Sequence, residues 1–137
     1  MVFIEWRKEG DKLVVSLKRG EKIVVTLNEF FERSGIKGGF MQGIGGLDEA
    51  EIAFYSLEEK TYHSKKYSQD LELVSLLGTI TETGLHAHVV ISDREMKCYA
   101  GHLMDARIAV AGEFFITEMK KIRRAENKFT GLKHVEL

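Results

Sequence analysis

The stretch Leu85-His86-Ala87-His88-Val89-Val90-Ile91, followed by Ser92-Asp93-Arg94-Glu95-Met96-Lys97 and Cys98-Tyr99-Ala100-Gly101-His102-Leu103, decides how this chain folds and where its chemistry sits. The first run is rich in β-forming residues, and side chains two apart on a strand leave the same face. His86 and His88 therefore aim at one point. If the chain turns back through Arg94 to Lys97, the run ending at His102 becomes the neighbouring strand, and His102 closes a three-nitrogen face. Three neutral imidazoles with one open position describe a zinc site of the catalytic type. The same spacing also suits two strand histidines that are buried and hydrogen-bonded, or that line a solvated surface, and nothing in it fixes the third ligand. Gly84 and Gly101 allow close backbone approach beside the histidines, as a tight site often needs.

Working outward, Leu71 to Thr81 reads as the strand before this pair. Further strands are expected at Val2 to Lys8, Lys12 to Lys18, Glu49 to Leu57, Lys60 to Tyr67, Lys97 to His102 and Ala106 to Met119. Lys22 to Ser34 carries apolar residues at Ile23, Val24, Leu27, Phe30 and Phe31, a 3.6-period stripe. Gly35 stands where a helix C-cap belongs. The β-branched run Ile23-Val24-Val25-Thr26 argues the other way. The tail from Lys120 reads as a turn or short helix. Many strands with one principal helix between early strands predict an α+β domain.

The chain has 137 residues, a length that predicts one domain over 1–137. With 44% hydrophobic and 30% charged residues and a net charge of −1, it reads as an ordinary globular protein with no global field drawing it to nucleic acid or an anionic membrane. The single Cys98 excludes an intramolecular disulfide. No apolar run approaches membrane-spanning length and no signal peptide is visible, so a cytoplasmic protein with no membrane partner is expected.

Several other features invite chemistry. Gly43-Ile44-Gly45-Gly46 lacks the lysine and hydroxyl of a phosphate loop, and a strand with close backbone approach or a bulge accounts for it better. Lys120, Lys121, Arg123, Arg124 and Lys128 offer cations to DNA phosphates or form a solvated face. Without a recognisable nucleic-acid-binding signature, weak and non-specific duplex binding is the expectation. Glu113, a carboxylate within Gly112-Glu113-Phe114-Phe115-Ile116, suits a catalytic role as partner of an imidazole or as a base beside a metal-bound water. It equally suits an outward position on an alternating strand. Glu82 and Asp93 are weaker candidates of the same kind. His63 and His134 read as surface residues, and Cys98 as a small packed hydrophobe.

Gly43-Ile44-Gly45, Leu71-Glu72-Leu73-Val74-Ser75-Leu76-Leu77-Gly78-Thr79-Ile80, His86-Ala87-His88 and Gly101-His102-Leu103 occur in that order. Together they resemble the plants-and-prokaryotes conserved (PPC) domain, which also forms the C-terminal part of plant AT-hook nuclear-localised proteins. The resemblance spans nearly the whole chain. It implies an α+β fold built mainly on an antiparallel sheet, a homotrimer, and a metal ion, with zinc the expected one, at His86, His88 and His102. Plant members carry a Gly-Arg-Phe-Glu-Ile-Leu segment for contacts with transcription factors. Here Gln69 and Asp70 replace its Gly and Arg, ahead of Leu71-Glu72-Leu73-Val74, and no Arg-Gly-Arg hook occurs. Standalone prokaryotic members are often described as predicted DNA-binding proteins.

Two functions are therefore expected as alternatives. One is zinc-dependent hydrolysis, hydration or small-molecule binding at the histidines. The other is a DNA-associated regulator lacking an AT-hook. A structural metal tying strands together is a third possibility. The glycine-rich Gly38 to Gly46 and apolar Leu71 to Ile80 offer more flat apolar sheet than one helix can cover, which also favours self-association.

Overall fold

The computed structural model describes residues 4–137. Strands β1 (Glu5–Glu9) and β2 (Lys12–Lys18) form a hairpin, and helix α1 (Ile23–Ser34) follows. Then come β3 (Gly39–Ser56), β4 (Thr61–Tyr67), β5 (Leu71–Thr81), β6 (Gly84–Ser92) and β7 (Cys98–Glu118). A small hairpin of β8 (Arg123–Glu126) and β9 (Lys133–Glu136) ends the chain. The α+β class with a mainly antiparallel sheet is thus observed. Of the strand expected from Val2, the part from Glu5 is seen, and Val2 and Phe3 lie outside the described residues.

The main sheet runs β1-β2-β7-β6-β5-β3-β4, and β3 also pairs with β7. That extra pairing joins β7, β6, β5 and β3 into a closed ring, so the sheet wraps around its own core. Closure demands bending, and the register shifts supply it: β3 slips against β5 between Gly43 and Gly45, and against β7 at three places. At the crossing the backbones nearly touch. A Cβ on Gly45 would sit 2.6 Å from the Ala111 carbonyl oxygen, so a side chain there would force the strands apart. The Gly43–Gly46 stretch is therefore part of a bulged strand.

Inside lie Leu13, Val15, Leu17, Met41, Leu76, Ile80, Ile91, Ile108, Phe114 and Ile116. Helix α1 closes the core by burying Ile23, Leu27, Phe30 and Phe31. Fully burying a side chain of this size contributes about 1.5–3 kcal/mol, which outweighs the weak helix propensity of the β-branched run. The helix ends at Gly35, whose φ of 69° places it in the left-handed region and whose N–H donates to the Phe31 carbonyl. Its start has no capping side chain of its own. Instead Asp105, from β7, accepts from the Val24 and Val25 N–H groups at 2.8 and 3.3 Å.

Three expectations need correction. Lys97–His102 and Ala106–Met119 are one strand, β7, of 21 residues. The break suggested by Leu103-Met104-Asp105 is a bulge: Leu103 pairs with Ile52 and Asp105 with Glu51, so β7 advances two residues while β3 advances one. The tail is a β-hairpin, not a turn or short helix, because Asn127 to Leu132 closes a loop with Asn127 N–H and carbonyl both paired at 2.8 Å. Cys98 is exposed rather than packed, since it stands at the mouth of the β6–β7 turn opposite Ser92.

Candidate metal centre

The Leu85–Leu103 stretch forms the expected hairpin. Its turn is held by Asp93, whose carboxylate accepts from Glu95 and Lys97 N–H at 2.9 and 3.0 Å. This use fixes Asp93 as a turn residue. The hairpin register sets His88 directly opposite His102. Along β6, Ala87, Val89 and Ile91 turn into the core, so His86 and His88 turn out. The start of β6 is anchored by Asn28 of α1, whose side-chain oxygen accepts from Leu85 N–H at 2.8 Å. The other end of the site is tight as well: a Cβ on Gly101 would lie 2.8 Å from the Ala53 carbonyl oxygen.

Each of the three rings offers a nitrogen, and these atoms lie within 4.8 Å of one another. Ring centroids are 5.2 Å apart for His86–His88 and His86–His102, and 5.8 Å for His88–His102. Tyr62 of β4 stacks on His102 with centroids 4.7 Å apart and planes 29° apart. Tyr55 of β3 meets Tyr62 edge-on and donates its hydroxyl hydrogen to the Thr130 carbonyl. The terminal hairpin thus buttresses the aromatic wall. It also sends Arg124 to His86, with Nη2 3.5 Å from Nδ1. Ala53, Phe54, Tyr55, Leu77, His88 and His102 are among the residues lining an open cavity of about 500 Å³ beside the cluster.

The electrostatics favour neutral rings at His86 and His102. Burial, reinforced by His102, His88 and Arg124, pushes His86 down to about 4. Burial and then His88 push His102 below the ordinary histidine range. Neutral imidazole is the ligating form. The donor set fits a zinc-like ion on a further ground: His102 Nδ1 is buried with no hydrogen-bond partner. A buried polar atom left alone costs about 1–3 kcal/mol, and a coordinated cation is one way to satisfy it. The three imidazoles would hold the ion.

Other expected site residues fall elsewhere. Glu113 is exposed on β7, eleven positions beyond His102, next to the outward apolar residues Ile44, Leu77 and Phe115. It is outside the histidine group. Glu82 accepts from the Arg124 backbone N–H at 2.9 Å. His63 and His134 are exposed. The basic cluster is partly spent: Arg124 is at His86, Arg123 lies 3.6 Å from Glu136 and Lys121 lies 4.0 Å from Glu82. Tyr62 was not singled out from sequence, and Arg124 only as one cation in a basic run. No spacing signal marks either, because each arrives from a strand remote in the chain.

Fold and site together define a ring-closed α+β protein carrying a three-imidazole cluster. Residues 5–120 match the model of the Plants and Prokaryotes Conserved (PCC) domain, and the chain belongs to that family. It is similar in structure to a "putative DNA binding protein" of Bacteroides thetaiotaomicron, with 31% identity and a TM-score of 0.93 over 97% of this chain and 96% of that one. The metal-containing protein AF0104 of Archaeoglobus fulgidus is 27% identical, with a TM-score of 0.84 over the full length of both chains. A plant- and prokaryote-conserved (PPC) protein of Pyrococcus horikoshii is also 27% identical, with a TM-score of 0.83 over 100% of this chain and 98% of that one. Among curated proteins, 85 residues, 61% of the chain, are 25% identical to the bifunctional protein GlmU of Synechococcus sp., of whose length the match spans 13%. No helix of the described residues is long and apolar enough to cross a membrane.

Proposed function

We propose that this protein binds one zinc-like ion through His86, His88 and His102, and uses it on a small molecule admitted by the adjoining cavity. The observation that carries this reading is the convergence of three imidazole nitrogens within 4.8 Å, one ring bearing a buried nitrogen with no partner. The metal-containing Archaeoglobus relative adds support. When bound, such an ion lowers the pKa of a coordinated water towards about 7, which suits hydrolysis or hydration. The chain's own residues do the rest. Asn28 and the Asp93 turn fix the two strands, Tyr62 orients His102, and the apolar cavity wall limits water. A catalytic role for Glu113 is not part of this proposal, because within one chain it stands outside the histidine group.

Self-association as a homotrimer belongs to the same proposal. Phe115, Gln42 and Leu77 are register neighbours across β7, β3 and β5. With Ile44 and Val74 they form an outward face whose apolar members are each about half exposed. Contiguous apolar surface of this kind usually marks an interface. Light scattering should give three times the chain mass, and a monomer at micromolar concentration would contradict the assembly. A cytoplasmic setting completes the proposal.

Elemental analysis tests the metal. Purified protein should carry about one ion per chain, and His88→Ala should lose most of it. Equal zinc in the triple variant His86→Ala, His88→Ala, His102→Ala would place the metal elsewhere.

A second reading, a DNA-associated protein, has its own support in the name of the Bacteroides relative. The five cations of the terminal cluster could neutralise at most about five phosphates, each contributing roughly −0.9 to the slope of log affinity against log salt. Three of them are already engaged within the chain. Fluorescence anisotropy with random and AT-rich duplexes should show weak binding that fades by physiological salt. Tight AT-selective binding would promote this reading over the metal one.

A further inference from the structure

Arg124 reaches the histidine cluster from the terminal hairpin, and its guanidinium contacts neutral acceptors throughout. Nε donates to Thr81 Oγ1 at 3.0 Å, Nη1 to the Lys133 carbonyl at 3.1 Å and Nη2 to Thr79 Oγ1 at 3.2 Å. The remaining contact of Nη2 is His86 Nδ1 at 3.5 Å. The nearest carboxylate in this set of interactions, Glu82, is occupied with the Arg124 backbone N–H and with Lys121. A partly buried cation with no carboxylate on its head group is costly unless another negative charge completes it.

The contact with His86 also cannot coexist with a bound metal. A guanidinium N–H only donates, so His86 Nδ1 must accept, which puts the ring's single proton on Nε2. A metal at Nδ1 takes the lone pair that Arg124 uses. A metal at Nε2 moves the proton to Nδ1 and sets two N–H groups against each other. Either way loading releases one Nη2 N–H, while Thr79, Thr81 and Lys133 keep the guanidinium in place. The loaded site would then join a dication, three neutral imidazoles and a guanidinium with no protein carboxylate in the group. Its charge calls for an external anion.

Resting on the metal reading above, we propose that the site takes a small anionic ligand with two or more oxygens, a carboxylate or a phosphate, held jointly by the metal and by Arg124. The geometry of a guanidinium fork suits paired oxygens, whereas a monatomic anion can satisfy only the metal. Arg124 is therefore a specificity-determining residue. A neutral substrate would leave the guanidinium uncompensated.

Cobalt(II) substitution gives a test that needs no enzymatic assay. The protein is loaded with Co²⁺, its stoichiometry is measured, and acetate, inorganic phosphate and chloride are titrated while the visible spectrum is read. Acetate or phosphate should shift the spectrum of the parent, and the tighter of the two identifies the oxyanion class. Arg124→Gln should bind the same cobalt and lose about 10-fold or more in oxyanion affinity, the worth of a charge-assisted hydrogen bond. Its chloride affinity should stay unchanged. Arg124→Lys, which keeps the charge and loses the fork, should fall between the two. It also decides the matter alone if the glutamine variant does not fold. Unchanged oxyanion affinity in these variants, or a parent spectrum indifferent to both oxyanions, overturns the role of Arg124 and leaves the metal site standing. Failure of the parent to bind cobalt overturns the metal reading and this inference with it.

Discussion

The two ends of β7 share one backbone and serve different purposes. Beyond the bulge, Ala106, Ile108, Phe114 and Ile116 point inward and build the core, while Glu113 and Phe115 face out. Before it, Leu103 points inward and His102 faces the site. The inward set is even-numbered on one side of Met104 and odd-numbered on the other. A single extra residue at the bulge reverses which face each side chain takes. Had β7 continued in register, His102 would have joined the core and left His86 and His88 without a third nitrogen. The released Asp105 then finds work at the start of α1. One irregularity thus supplies both the third imidazole and the helix cap.

Three substitutions probe this contrast. Phe114→Ala removes a completely buried ring at the core end, and should cost about 3–5 kcal/mol in denaturant unfolding. If the variant remains folded, its metal content should match the parent; lost metal with intact folding would show that the two ends are not separable. Asp105→Ala strips the α1 start of its acceptor and should cost about 0.5–2 kcal/mol by the same measurement. Its effect on helix signal should exceed its effect on metal. Glu113→Gln lies on the outer apolar face, outside the histidine group, and should leave the metal content of the chain close to that of the parent. A large metal loss would bring Glu113 into the coordination group.

The histidine end should also respond to acid in a way the core end does not. His86 has a folded-state pKa of about 4 against an ordinary 6.5, because burial and its neighbours oppose the charge. Between those values the unfolded chain binds the extra proton, so stability of the metal-free protein should fall as pH drops from about 6.5 to about 4. Urea midpoints measured across that range for the parent and His86→Asn should diverge, the variant being flatter. Parallel curves would mean that His86 is not held neutral.

Much of this architecture was legible in the residues. The spacing of two along a strand put His86 and His88 on one face, and Gly35 marked the end of α1. The strand Leu71–Thr81 was readable to its last residue, because its turn chemistry is local. The bulge at Met104 was not readable. A polar Asp105 among apolar neighbours looks like a strand end unless the helix that recruits it is known. The terminal hairpin was equally hidden, since two four-residue strands rich in charge carry little apolar alternation. Arg124 was visible only as one cation in a run, and its place beside His86 is set by the hairpin. For the histidines the grouping could be foreseen, whereas the stacking of Tyr62 could not.

Whether His86, His88 and His102 hold one metal ion can be seen in crystals of the zinc-loaded protein measured on both sides of the zinc absorption edge. One anomalous peak per chain is expected, within bonding distance of a nitrogen from each of the three rings. A peak on other residues, or no peak after zinc loading at neutral pH, would contradict the metal reading.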